Sequence, residues 1–596
     1  MNHEQKKSIL GFNWHQKKYD ERLATAIYQR FELSEVLSKA LAMRDVSLDE
    51  VENFLDPKIK NILPNPFELG DMEKAVAHVI DAIKKNKKIT IFADYDVDGA
   101  TSAAVLKRFF REVGIDVGIY IPDRILEGYG PNSQALINLK KSGTDLVITL
   151  DCGTVAFQAL EDAAKAGLEI IVIDHHLGVL EKPDAIAVIN PNLLNETFPH
   201  KNLCAAGVTF LFAVAVNKKL REEGFYEKKS EPNLFALLDL VALGTVCDVM
   251  PLTGLNRAFV ATGLKILKQR KNFGLREICD VAGLDEEPTA YHFGFVIGPR
   301  INAGGRVGKS DLGARILSGE DEEEISNIAA QLEIFNKQRK EIEVQVLDEA
   351  VKALESGAGG FKTTDPIIFA SSKNWHQGVI GIVASRLKDL YNRPVAVIAI
   401  DDEGLRGKAS CRSISGIDFG GEILKARLEG LLIEGGGHAM AGGFSIMPEK
   451  ISALHEFFCK NLGEKVAEIT AEKRAEFDIE LDLPQVNIDL LKELSKLEPF
   501  GVGNVRPKFI LRDVQKVSGK LIGQNQDHIS CMFSCKSAVG FSGNLQAIAF
   551  RSATTPLAEI LLDAKFTKPL NLVGTLNINS WMGVEKVQMI IEDVLI

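Results

Sequence analysis

Three short apolar runs, "ITIFADYD" (residues 89–96), "DLVITLDCGT" (145–154) and "EIIVIDHH" (169–176), close in the same way. Each is long enough for one buried strand, and each ends on aspartate or on aspartate and histidine. Helical patterns stand between them: "GATSAAVLKRFFREVG" and "SQALINLKKSG" before the second run, "AFQALEDAAKAG" after it. "DVGIYIP" and "AIAVINPN" offer further strands. Strands that alternate with helices form a parallel, doubly wound α/β sheet. Their carboxyl ends then share one edge, where ligands of such sheets gather. Asp94, Asp96, Asp98, Asp151, Asp174, His175 and His176 are expected along that edge.

Carboxylates brought together repel unless they are solvated or a cation sits among them. Asp96 and Asp98 stand two apart, so in extended chain they point the same way. Asp248, in "GTVCDVMPL", follows the apolar run "LFALLDLVALG" and is a further candidate. Hard oxygens with imidazole suit manganese, magnesium or zinc better than calcium or an iron–sulfur cluster. Two divalent ions ~3.5–4 Å apart can share an aspartate and activate a water. A single strand-end aspartate is more often a helix N-cap, and a lone His-His pair is more often structural. Three strands delivering Asp-x-Asp, Asp and Asp-His-His to one edge favour a metal site.

At 596 residues the chain is too long for one core, and several domains are expected. The divisions read as a helical N-terminal segment (1–70), an α/β domain (71–320), a long connecting helix (321–356), a second α/β domain (357–465) and a C-terminal β-barrel of oligonucleotide-binding type (466–596). "GAGGFKTT" lacks the Walker spacing and precedes a strand, so it reads as a linker. The formal net charge of −11 argues against a broadly basic coat. Any contact with a phosphate polymer must use local basic groups or bound metal. The eight cysteines are scattered with no C-x-x-C pair, which fits reduced thiols rather than a disulfide or zinc framework. There is no apolar leader or membrane-length run, so a soluble cytoplasmic protein is expected.

Other segments offer groups for phosphate. "GGGHAMAGG", with Gly437 and His438, exposes backbone N–H groups without obstructing side chains. Arg412 and Ser413 in "ASCRSISG" add a cation and a hydroxyl. Arg300, Asn302 and Arg306 in "GPRINAGGR" form a further candidate group. Trp375 and His376 suit either a pocket or a core.

"DYDVDG", "DCGT", "DHH" and "GTVCDVMPL", in that order, resemble the four motifs of the DHH phosphoesterases. "SSKNWHQGVIGIVASRL", "ASCRSISG" and "GGGHAMAGGF" resemble the DHH-associated domain. "LEPFGVGNVRPKF" is similar to the start of the third domain in the RecJ family of bacterial single-strand-specific exonucleases. The resemblance covers nearly the whole chain. It implies 5′-to-3′ hydrolysis of single-stranded DNA in recombination and repair, by a monomer with two manganese or magnesium ions. A single-strand-binding protein and a helicase are its implied partners, and no membrane. It implies Asp96, Asp98, Asp151, His175 and Asp248 as metal ligands and His176 as the group on the scissile phosphate. Asp94 and Asp174 orient them. Many DHH proteins carry histidine four residues before the first ligand aspartate; here that position is Phe92, which cannot bind metal. Within the superfamily the alternative is a phosphodiesterase for short oligonucleotides or small phosphates. Outside it, the alternative is an inactive DNA-binding scaffold.

Overall fold

The alternating segments form one parallel five-stranded sheet. Its order is Gly118–Tyr120, Ile89–Ala93, Leu146–Leu150, Glu169–Ile173, Ala187–Ile189. The computed structural model describes residues 8–124, 126–535, 544–581 and 584–596. The first seven residues, where an apolar leader would begin, lie outside that range. Ile89–Ala93 and Leu146–Leu150 are buried throughout, as strands covered on both faces must be. Ile89, Ile91 and Ala93 face one core layer with Val76, Ala103, Leu106 and Leu211. Phe92, Val147 and Val172 face the other, with Leu136 and Leu160. From Ile89–Ala93 the chain moves first to one side and then crosses to the other. The switch point therefore lies between Ile89–Ala93 and Leu146–Leu150, where Asp94 and Asp151 emerge.

Helices dominate residues 205–318. One 35-residue helix, Glu322–Ser356, follows. Asp321 caps it by accepting from Glu324 N, and Gly357 ends it in the left-handed region, at φ 70°. Ile325, Ile328 and Leu332 of this helix pack into the first core, and Val346, Ala350 and Leu354 into the next. That next core lies under a mixed five-stranded sheet ordered Glu434–His438, Ala441–Ile446, Gly407–Arg412, Val395–Ile400, Ile368–Ser372. "GGGHAMAGG" is therefore a β-hairpin rather than an open glycine loop, with Gly436 opposite Gly443 and Gly437 opposite Gly442. Its glycines allow close packing: a Cβ on Gly420 would come within 2.8 Å of the Gly437 carbonyl.

The residues up to Lys58 and those from Glu472 onward form a second unit, apart from 59–471. Phe509–Ile522, His528–Ser534, Asn544–Ala549, Val584–Leu595 and Leu570–Trp581 make a barrel, which Phe509–Ile522 closes against Leu570–Trp581. The N-terminal segment is not helical throughout: Asn13–Gln16 pairs in parallel with Arg474–Phe477. The buried Asp593 carboxylate ties this segment to the barrel, accepting from Ser8 Oγ, Leu10 N and Trp14 Nε1. No helix among the described residues is long and apolar enough to cross a membrane.

Asp593→Ala strands those donors without an acceptor. The expected loss is about 2 kcal/mol or more. Hydrogen exchange of the Val584–Leu595 amides should accelerate by roughly thirtyfold. Unchanged exchange would show that the N-terminal segment does not brace the barrel.

Candidate metal centre

Asp96 and Asp98 do not share an extended strand. Asp96 caps the helix Val97–Glu112, accepting from Gly99 N at 3.0 Å, and Asp98 sits in that helix's first turn. The capping role and the cluster role coincide in Asp96. Asp98 is buried, and the start of the helix Ala205–Glu222 supplies its compensation. Ala205 N donates to Asp98 Oδ2 at 2.6 Å and Ala206 N to Oδ1 at 3.0 Å. These are N–H groups that a helix start leaves unpaired.

Around Asp98 the remaining candidates converge. His175 Nε2 lies 3.2 Å from Asp151 Oδ1, 3.5 Å from Asp248 Oδ2 and 3.8 Å from Asp98 Oδ2. Three overlapping trios have ligand atoms within 4.8 Å of one another: Asp98, His175 and Asp248; Asp151, His175 and His176; Asp94, Asp96 and Asp151. Asp174 is the organiser. Its Oδ1 accepts from the backbone N of His175 and His176 and from His176 Nδ1 at 2.8 Å; its Oδ2 accepts from Thr154 N. Asp94, expected beside it as an orienting group, also stands in a trio of potential ligands.

Burial pushes Asp98 and Asp151 above the ordinary carboxylate range, and Asp96 adds repulsion to both. Asp248 is driven to about 9 by burial, then by Asp98 and Asp96. Burial works against the His176 cation, but the hydrogen bond to Asp174 and the charges of Asp174, Asp248 and Asp96 together outweigh it and raise the group to about 9. Asp94 Oδ1, Asp151 Oδ1, His175 Nε2 and Asp248 Oδ2 are buried without a hydrogen-bond partner. Polar atoms rarely remain so, and a converging set of hard oxygens and imidazole fits divalent cations. Phe92 is not part of the set. It points into the opposite core layer and stacks on Tyr120 at 5.2 Å.

The phosphate candidates separate. Arg412 lies opposite Ala441, and Ser413 N donates to Met440 O, so the arginine segment and the hairpin are adjacent. Ser413 itself is fully buried, with its hydroxyl donating to Ile417 O. Ser410 Oγ instead lies 3.2 Å from Arg412 Nη1. Arg300 is bound to Glu333 at 2.7 Å and to Val296 O. Arg306 donates to Gly378 O at 2.8 Å, while Gly378 N donates to His376 Nδ1. Burial lowers Arg306 to about 10, with Arg124, Arg339 and Arg412 adding to the effect. Asn302 is half-buried on the same helix, and Gly437 and His438 are exposed on the hairpin. Trp375 is a core residue, donating to Glu349. Sequence reasoning missed Arg124 and Tyr129. Tyr129 Oη donates to Asp151 O and lies 3.2 Å from His176 Nδ1. Both follow the edge strand Gly118–Tyr120, whose last residue, unlike Ala93, Leu150 and Ile173, is not followed directly by aspartate.

Residues 88–245 match the DHH family, N-terminal domain, 364–464 the DHHA1 domain and 477–593 the RecJ OB domain. The single-stranded-DNA-specific exonuclease RecJ of Haemophilus influenzae is 33% identical over 543 residues, covering 90% of this chain and 92% of its own. The chain belongs to the RecJ family. The crystal structure of Thermus thermophilus RecJ in complex with Mn2+ matches with a TM-score of 0.77 and 26% identity, over 98% of this chain and 79% of that one. The Mg2+ complex of the same RecJ gives 0.73, over 98% and 78%.

With a chelator present, folded Asp248 keeps a proton that the unfolded chain releases near about 4. The folded state then binds more protons, so stability falls as pH rises toward 9. The thermal midpoint should drop between pH 6 and 9, and Asp248→Asn should shrink the drop. A midpoint that rises over this range would contradict the crowding of unpaired carboxylates.

Proposed function

We propose that the chain is a divalent-metal-dependent exonuclease that removes nucleotides from the 5′ end of single-stranded DNA. The observation that carries this reading is the convergence of Asp98, Asp151, His175 and Asp248 around buried polar atoms that lack hydrogen-bond partners. Asp96, Asp98, Asp151, His175 and Asp248 hold two ions, manganese or magnesium, and the Asp94 carboxylate stands where it can add to them. When bound, the ions supply water activation and neutralise charge on the phosphoryl group.

The chain's own groups do the rest. His176 is held at Nδ1 by Asp174, which leaves Nε2 to donate to an oxygen of the scissile phosphate. Asp98 is fixed by two backbone N–H groups, so its carboxylate cannot swing away as substrate charge approaches. Arg306 and Arg412, with Ser410 and the wall formed by Gly437 and His438, recognise the terminal phosphate. His376 and Asn302 flank them. Arg300, occupied by Glu333, and Ser413, turned into the core, support the pocket from behind.

The functional parts are the DHH domain (71–320), the connecting helix (321–356), the DHH-associated domain (from 357 through the helix Ile451–Thr470) and the strand-binding barrel (from Glu472 rather than 466), with the N-terminal segment bracing the barrel. The enzyme works as a cytoplasmic monomer in DNA recombination and repair, beside a single-strand-binding protein and a helicase.

The test is digestion of single strands labelled at either end, with and without manganese. Manganese-dependent release of mononucleotides from the 5′ end is expected. Release from the 3′ end, internal cuts, or hydrolysis confined to dinucleotides would contradict the reading. Arg412→Ala should lower kcat/KM on 5′-phosphorylated strands by about tenfold or more while sparing 5′-hydroxyl strands.

A further inference from the structure

The loops that carry the metal candidates also carry large apolar side chains turned to solvent. Val155 is 55% exposed, Leu177 65%, Leu180 73% and Leu194 66%. They follow three adjacent strands, Leu146–Leu150, Glu169–Ile173 and Ala187–Ile189, at their carboxyl ends. Leu177 is the neighbour of His176, and Val155 the neighbour of Thr154, whose N–H holds Asp174. Scattered surface leucines are ordinary, but large apolar residues concentrated on the loops of a ligand edge ask for a ligand.

These loops are laced into one surface. Asn190 Nδ2 donates to Thr154 Oγ1 and to His176 O, both at 2.8 Å. Asn192 Nδ2 donates to His175 O at 2.6 Å, and Gly178 N to Asn192 O at 3.1 Å. Gly178 has no room for a side chain: its Cβ would lie 2.7 Å from Leu193 and 3.3 Å from Thr154. The apolar groups are therefore held in fixed relation to His175 and His176 rather than carried on independent loops.

We infer that Val155, Leu177, Leu180 and Leu194 form an apolar rest for the unstacked bases of the strand beside the scissile phosphate, so that part of the affinity comes from bases and not from phosphates. The inference rests on the proposed exonuclease function. Two observations select bases as the occupant. The surface is continuous with the metal centre through His176 and Thr154, and it is apolar in a chain of net charge −11. Val155, Leu177, Leu180 and Leu194 carry no charge, so a strand resting on them gains nothing there from counterion release. Every base offers an apolar face, so a contact of this kind is independent of sequence. Base pairs in a duplex keep those faces stacked on one another, so the same surface favours single strands.

The test uses equilibrium binding of the full-length protein to a 5′-phosphorylated single strand, by fluorescence anisotropy with a chelator present so that no cleavage intervenes. The probes are an intact strand and one whose 5′-terminal nucleotides are abasic, and the variant is Leu177→Ser/Leu180→Ser. Both residues are exposed, so folding is preserved, and circular dichroism checks this. Wild type should bind the abasic strand on the order of tenfold more weakly than the intact one. The variant should show a similar loss on the intact strand and little further loss on the abasic one. The slope of log Kd against log salt should not change, because no phosphate contact is removed. Equal losses on both strands, or a variant that binds like wild type, would overturn the inference. In the second outcome the surface would belong to a protein partner or a second copy of the chain. Because binding is read without turnover, these results stand apart from the end-labelled digestion that tests the exonuclease reading.

Discussion

Mutual repulsion among buried carboxylates is the constraint around which the catalytic half of this protein is arranged. A parallel sheet sends every strand's carboxyl end to one edge, and the switch point brings Asp94 and Asp151 side by side there. Asp96 and Asp98 arrive on the helix that follows the first of these strands, and Asp248 at the end of the helix Leu238–Cys247. The fold compensates only part of this charge. Ala205 and Ala206 donate to Asp98. Burial works against the Asp174 carboxylate, but the hydrogen bond and charge of His176, with Thr154 and His175, together hold it below the ordinary carboxylate range. Asp151 Oδ1 and Asp248 Oδ2 receive no such help. The same field reaches Cys152, Cys204 and Cys247, whose thiols are pushed up by burial and then by the neighbouring carboxylates. Thiols kept protonated in this way are poor nucleophiles, so they can line the centre without adding reactivity.

Asp94, Asp151, Asp174, His175 and His176 were legible in sequence because they stand at the close of apolar runs, and period and position suffice to place such residues on one side of a parallel sheet. What was not legible depends on partners distant in the chain. Asp98 read as part of an extended strand end; its burial comes from a helix that begins more than a hundred residues later. Arg300 looked available for phosphate, but Glu333 on the long helix claims it. Ser413 looked like the hydroxyl beside Arg412, yet it lies past the strand's end with its side chain inward. Ser410, two residues before Arg412 on the same face of Gly407–Arg412, is the one that meets it. The strand Asn13–Gln16 could not be foreseen, because its partner Arg474–Phe477 lies at the other end of the chain.

Under the proposed function, recognition of the terminal phosphate falls to a few arginines. Burial lowers Arg306, and Arg412 is close enough to add to the cost of its charge. An arginine cluster of this kind is a ready site for a dianionic terminal phosphate.

Divalent ions in the carboxylate cluster are what this arrangement of buried, uncompensated charge requires. Calorimetric titration of manganese into the metal-free protein, beside the same titration into Asp151→Asn, tests it. Asparagine tolerates the left-handed backbone that Asp151 adopts, at φ 61°, so the variant should fold. Asp151 belongs to two of the three trios, so the wild type should take up two ions and the variant should bind both more weakly. A wild type that takes up no manganese, or a variant that binds it with unchanged number and affinity, would contradict the account.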